Sequence, residues 1–332
     1  MTKNFRNPIS RLLVLLALFI ILLVSVFFGK NAAFSAHASG ALVNHFPGQY
    51  FAPYVDMTAY PTQSLVQDTK NGGIKEYSLA FVTNDAASGC LGAWGGVVPL
   101  SQLSAYLPNM DSDIKTLRGE GGDVLISFGG EAGTELAQSC TNVKALQAQY
   151  QSFITHYQVS HIDFDIEGAA SADTASIDRR NQAIAALQRA NPGLLVSYTL
   201  PVLPTGLVSS GISLLQDAIR RGVNVHVVNI MAMDYGSSFP PNKMGQNAID
   251  AATNLEAQLH SLYPAKSTGQ LWAMVGITPM TGANDVSPEV FTLADARQVE
   301  AFARKEKIGE LSMWSVNRDE PSFGYSKIFR SF

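Results

Sequence analysis

The sequence has 332 residues, 46% of them hydrophobic and 15% charged, and its 23 Lys and Arg against 27 Asp and Glu give a net charge of −4. That length holds one large domain or two modest ones, and no Pro/Ser/Thr-rich linker divides it, so one domain is expected. The basic residues form neither a cluster nor a stripe, which argues against nucleic acid as a partner, and six dispersed His with two Cys suggest no metal site, so no cofactor is expected.

The chain opens with Lys3, Arg6 and Arg11, runs apolar over residues 12–28 and then offers Ala36-His37-Ala38, the order of an export signal cleaved after Ala38. Removing residues 1–38 lowers the basic count from 23 to 19 against 27 acids, a net charge of −8, so the secreted body is acidic and suits a neutral or cationic ligand. The apolar run is also long enough to span a bilayer, and the alternative is an uncleaved anchor with the body outside. Cys90 and Cys140 are an even pair. In an exported protein they either form a disulfide, for which the chain-entropy model assigns about 4 kcal/mol, or remain two buried thiols.

Eight apolar, β-branched segments follow, over 50–55, 77–82, 123–128, 159–166, 194–200, 225–233, 271–277 and 310–315. Between them, 143–156, 175–190, 211–221, 248–262 and 293–306 show helical apolar spacing, with cap signals such as Asp178 and Thr292 near their starts. Strand followed by helix, repeated, predicts a parallel sheet. Eight such units predict an α/β fold of one domain, a (β/α)₈ TIM barrel, with the site at the C-terminal ends of the strands. An open doubly wound sheet is the competitor, but Gly129-Gly130-Glu131-Ala132-Gly133 imitates a dinucleotide loop only faintly, and no acid ends the next strand where a ribose partner belongs.

The fourth segment carries the chemistry. Asp163, Asp165 and Glu167 alternate there with Ile162, Phe164 and Ile166, so on a strand the three acids share one face. Strands are depleted in Asp, and like charges along one face repel, so a solvated structural strand is a poor explanation. Close carboxylates cannot all ionise cheaply; one pKa rises, and a protonated acid at neutral pH is what a glycosidic leaving group requires. Glu167, last and longest, is the best donor. All three acids reach a sugar from one side, so the opposing carboxylate of an ordinary glycosidase is missing. The nucleophile must then come from elsewhere, and an N-acetyl sugar carries one.

These residues resemble the family 18 glycoside hydrolases, the chitinase family, whose signature is D-x-x-D-x-D-x-E at the end of the fourth barrel strand. Asp163, Asp165 and Glu167 match its last three acids, and Ser127-Phe128-Gly129-Gly130 matches a second signature, S-x-G-G, on the third strand. The resemblance spans roughly residues 49–319. It implies a chitinase that hydrolyses β-1,4-linked N-acetylglucosamine polymers with retention. Glu167 acts as general acid and base, Asp165 orients the 2-acetamido group that attacks C1, and Asp163 tunes the charge of Asp165, with Ser127 hydrogen-bonded in support. An endo-β-N-acetylglucosaminidase acting on glycans, or a chitin-binding lectin, are the alternatives that the resemblance leaves open.

The chain departs from the family twice. The first aspartate of the signature is Ser160 here. On the sixth strand, where the family shows M-x-Y-D, this chain reads Met231-Ala232-Met233-Asp234-Tyr235, so Asp234 matches while Met233 replaces the tyrosine that contacts the acetamido oxygen. Tyr235 or Tyr198 supplies that hydroxyl. Trp314, ending the eighth strand, matches the tryptophan that floors the family's sugar pocket. Trp94 is a candidate to line a subsite, and Trp272 reads as packing. Asn284 and Asp285 either touch substrate or make an ordinary turn. The expected partners are chitin or N-acetylglucosamine oligosaccharides, and the expected state is a monomer.

Overall fold

The computed structural model describes residues 46–332, so the expected leader over 1–38 lies outside the described residues. No helix among the described residues is long and apolar enough to cross a membrane. The first strand segment splits into β1 (Tyr50–Phe51) and β2 (Tyr54–Asp56). β3 (Glu76–Asn84) follows, with the short β4 (Gly92–Trp94) and β5 (Val98–Pro99) folded back beside it in antiparallel fashion. Next come β6 (Asp123–Gly129), β7 (His161–Asp165), β8 (Leu195–Leu203) with the antiparallel β9 (Gly206–Leu207), and β10 (Val227–Ala232). The series ends with β11 (Val275–Pro279), the hairpin β12 (Gly282–Ala283) and β13 (Val290–Phe291), and β14 (Glu310–Leu311).

The parallel strands run in the order β3, β6, β7, β8, β10, β11, β14, β1. The interruption between β1 and β2 closes the ring: β1 pairs with β14 through Tyr50↔Glu310, and β2 pairs with β3 through Tyr54↔Ser78. The result is the expected (β/α)₈ barrel, with helices such as Val143–Tyr157, Thr174–Ala190, Ser209–Arg221, Met244–Leu262 and Leu293–Glu306 along the outside.

Three local expectations change. The segment 271–277 is a strand only in its second half, because Ser267 and Gln270 form a capping box that starts a short helix, Thr268–Trp272; Trp272 packs edge-on against Phe302. Asp178 is no cap. Asp173 takes that role for Thr174–Ala190 by accepting from the Ala175 and Ser176 amides, whereas Thr292 does cap its helix and forms a box with Asp295. Finally, the helices Leu65–Gly72 and Met110–Gly119 complete the first two units, where the helical spacing was too short to read.

Strand alternation sorts the barrel into two environments. Phe128, Ile162, Phe164, Val196, Tyr198 and Ile230 are fully buried outside the ring of strands, where Phe128 and Phe164 stack at 5.6 Å and Tyr150 of Val143–Tyr157 meets both edge-on. Truncating one such buried ring to alanine costs roughly 3–5 kcal/mol. The opposite parity turns Ser127, Asp163, Ser197, Thr199, Asn229 and Thr278 inward, and all six are buried. An ordinary barrel fills that space with Val, Ile and Leu; here the interior is polar.

The two cysteines are bonded. Cys90–Cys140 has a Cα–Cα distance of 4.7 Å and ties the loop after β3 to the end of the helix Leu136–Ser139 across 50 residues.

Candidate active site

Register places the acids. Ser127 of β6, Asp163 of β7 and Ser197 of β8 stand at one level, and Gly129, Asp165 and Thr199 stand one step nearer the C-terminal end. At the lower level Asp163 receives four hydroxyl hydrogen bonds: Ser127 and Tyr54 donate to Oδ2 at 2.7 and 3.0 Å, and Ser197 and Thr199 donate to Oδ1 at 2.8 and 2.9 Å. Burial raises its pKa, and those four donors work in the opposite direction. The four bonds come from three strands, β2, β6 and β8, so this carboxylate is fixed in position.

The two S-x-G-G glycines have a steric reason. Gly129 has φ +112°, and a Cβ there would come within 1.9 Å of the Asp165 carbonyl oxygen. Gly130 has φ +87° and would push a Cβ to 2.5 Å from the Phe81 ring, while its amide donates to that same Asp165 carbonyl at 3.0 Å. Only glycine tolerates both the backbone conformation and the contact. Removing Cβ at these two positions lets β6 close on Asp165 and lets Phe81 lie under Trp314, where the rings stack at 5.3 Å.

Above Asp163 sits a coupled pair. Asp165 is buried, its Oδ1 has no hydrogen-bond partner among the described residues, and its carboxyl interacts with that of Glu167. Burial raises its pKa well above the usual carboxylate range, followed by the charges of Glu167 and Asp163 and by the hydrogen bond with Glu167. Glu167 follows β7 and is half-buried. Burial pushes its pKa up to about 7, the bond to Asp165 pulls it down, and the charges of Glu131 and Asp234 raise it again. A proton therefore resides on the pair near neutral pH, and Glu167 is the member that can present it to a ligand.

Both acids open into a pocket at the C-terminal ends of the strands. Phe81, Met231, Met233, Met280 and Trp314 make its apolar wall, and Tyr54, Thr199 and Thr278 add hydroxyls. Glu131, Asp234 and Asp285 join Asp165 and Glu167, so the pocket is acidic throughout. An apolar wall for a sugar ring face, with few convergent polar groups and a raised carboxyl pKa, describes a glycan site rather than a phosphate site.

Asp163, Asp165, Glu167, Ser127, Asp234 and Trp314 thus lie in or directly beneath one pocket. Three other expected residues do not. Trp94, the last residue of β4, is fully buried against the helix Val143–Tyr157, with its indole N–H donating to the Tyr157 hydroxyl at 3.0 Å, because the Gly-rich hairpin turns back into the core. Tyr198 has the outward parity of β8, and its hydroxyl donates to Asn181 at 2.6 Å beneath the helices. Tyr235 packs edge-on against Phe239, with its hydroxyl buried away from the pocket. Neither tyrosine supplies the hydroxyl lost at Met233. Of the pair left open after the seventh strand, Asp285 lines the pocket and Asn284 holds the loop backbone.

Ser160 precedes β7 and is buried outside the acid cluster. Tyr54, Phe81, Ser197 and Thr199 were not identified from the sequence. Their signal is a polar or aromatic residue at every second position of otherwise apolar strands, which becomes decisive only once the barrel is closed.

No family model matches the chain. It is 41% identical over 287 residues to a probable bifunctional chitinase/lysozyme of Escherichia coli (strain K12), covering 83% of this chain and 31% of that protein. It is 40% identical over 289 residues to endochitinase 11 of Metarhizium anisopliae, covering 83% of this chain and 54% of that one. The chain thus spans about half or less of these curated relatives. Catalytic-site mutants of active domain 2 of a thermostable chitinase from Pyrococcus furiosus, solved with chito-oligosaccharides, superpose with a TM-score of 0.78 at 34% identity, covering 87% of this chain and 96% of that one.

Proposed function

Since the chain belongs to the family 18 glycoside hydrolases, the chitinase family, we propose that it hydrolyses β-1,4 bonds between N-acetylglucosamine units with Glu167 as general acid and base. The observation that carries this reading is the coupled Asp165–Glu167 pair opening into a pocket floored by Trp314 with no opposing nucleophile on the same strand. Retaining glycosidases with two opposed carboxyls attack the sugar with one of them; here the paired acids come from one side. The substrate supplies the nucleophile. Glu167 gives its proton to the glycosidic oxygen as the C1–O bond breaks, and the 2-acetamido carbonyl oxygen bonds to C1 to give an oxazolinium intermediate. Asp165 accepts the acetamido N–H and balances the positive charge that develops. Water, deprotonated by Glu167, then opens the ring at C1 and restores the β configuration.

Asp163 lies one step below Asp165, where its charge raises the pKa of Asp165 and keeps negative charge near the developing cation. Trp314 stacked on Phe81 offers the apolar face on which the sugar lies. Residues 1–38 direct export in this reading, which is supported by the order of their basic, apolar and small residues and by a disulfide suited to an oxidising compartment.

The test is hydrolysis of chitin oligomers by the wild type and by Glu167→Gln. Cleavage by the wild type with at least a hundredfold loss of kcat in the variant is expected, since the variant keeps shape and loses the transferable proton. Binding without cleavage by the wild type makes the chain a sugar-binding protein, and equal cleavage by both removes Glu167 from the role.

A further inference from the structure

Asp234 occupies a strained place. It follows β10 with φ +50°, a left-handed backbone that residues with side chains seldom adopt, so something outside the residue must hold it there. The loop between β12 and β13 does so. The carboxylate of Glu289, 3% exposed, accepts the Tyr235 amide on Oε2 at 3.1 Å and the Gly236 amide on Oε1 at 2.7 Å, which clamps the two residues after Asp234. From the same loop Asn284 Oδ1 accepts the Asp234 amide at 3.4 Å, and the Val286 amide donates to Asp234 Oδ1 at 2.7 Å. The loop is anchored at its other side by Thr281, whose amide donates to the Trp314 carbonyl at 2.9 Å. One oxygen of Asp234 is therefore committed to the loop, and the side chain is turned toward the pocket it lines.

We propose that Glu289 is a positioning residue for sugar binding, acting through Asp234: its carboxylate locks the loop after β10 so that Asp234 meets the substrate in one orientation. Glu289 itself does not line the pocket. Burying a carboxylate is costly unless its oxygens are paired, and here both oxygens are taken by backbone amides of the neighbouring loop. Its geometry is explained by the loop it holds.

The proposal rests on the reading of the pocket as a sugar site, and the experiment separates the two. Affinity for a chitin tetramer is measured by calorimetry in the non-cleaving Glu167→Gln protein, alone and with Glu289→Gln, Asp234→Asn, or both. Gln keeps the shape of Glu289 but turns an N–H₂ group toward one amide. The expected result is a loss of roughly tenfold from Glu289→Gln when Asp234 is present and no further loss when Asp234 is already Asn, because two residues acting as a unit are not additive. Asn284→Ala, which removes the acceptor of the Asp234 amide, is expected to give the same pattern and serves if Glu289→Gln fails to fold. Equal losses in both backgrounds, or unchanged affinity, overturn the role of Glu289. No tetramer binding by the Glu167→Gln protein with Asp234 intact overturns the sugar-site reading instead. A general structural role would lower the melting temperature in every background without removing the dependence on Asp234.

Discussion

At Glu167 the decisive quantity is the proton. Burial and the charges of Glu131 and Asp234 hold its pKa at about 7, so the acid form is present below that value and is lost as pH rises through it. The alkaline limb of kcat/KM, which reports the free enzyme, is predicted near pH 7. Glu131→Gln removes one raising charge and moves that limb toward lower pH; a pH–rate profile of the two proteins checks both statements. Asp163 has a different vulnerability. Four hydroxyls donate to it, so Asp163→Asn turns an amide N–H₂ toward at least one donor and leaves buried groups unpaired. A loss of stability of about 1–3 kcal/mol in urea unfolding is expected, together with a fall in kcat of at least tenfold. The three acids were legible in the sequence because strand parity groups them, whereas the differences between them were not: the hydroxyls that hold Asp163 come from three strands distant in sequence.

Among the elements, the close approach of β6 to β7 depends on two missing side chains. Gly129→Ala would place a methyl within 1.9 Å of the Asp165 carbonyl and strain a φ of +112°, so the strands must part where Asp165 and Glu167 are held. A destabilisation of several kcal/mol, or failure to accumulate as folded protein, is predicted from thermal melts. The S-x-G-G pattern showed that glycines belonged there, but only the structure shows what they approach. The errors at Trp94, Tyr198 and Tyr235 are of the same origin. An aromatic near a strand end has two faces available, and a one-residue change of parity, or a hairpin that folds inward, converts a pocket wall into core. The helix Thr268–Trp272 was missed because its Leu271 extends the apolar run of β11, and a short apolar run does not distinguish the two structures.

Over the whole molecule the alternation of strand and helix made the barrel legible, since eight units have few ways to close. Its polar interior was not, and it carries a pH dependence. Glu310 of β14 is fully enclosed near the other end of the barrel, receives the Tyr50 hydroxyl at 3.1 Å, and is pushed by burial and by Asp163 to about 8. The folded state therefore keeps a proton that the unfolded chain releases above its ordinary value of about 4.3. Stability from this group is complete below that ordinary value and declines as pH rises toward 8, by at most about 1.4 kcal/mol per unit. Glu310→Gln keeps an oxygen for Tyr50 and removes the ionisation, so its melting temperature is expected to fall less between pH 5 and pH 8 than that of the wild type.

The most direct test of the account is the anomeric form of the first products, followed by proton NMR at early times on a chitin hexamer. Attack by the substrate's own acetamido group followed by water gives two inversions at C1, and the account predicts β-anomeric new reducing ends that later relax to the equilibrium mixture. Initial α-anomers would mean a single displacement by water and would contradict the assignment of Asp165 and Glu167.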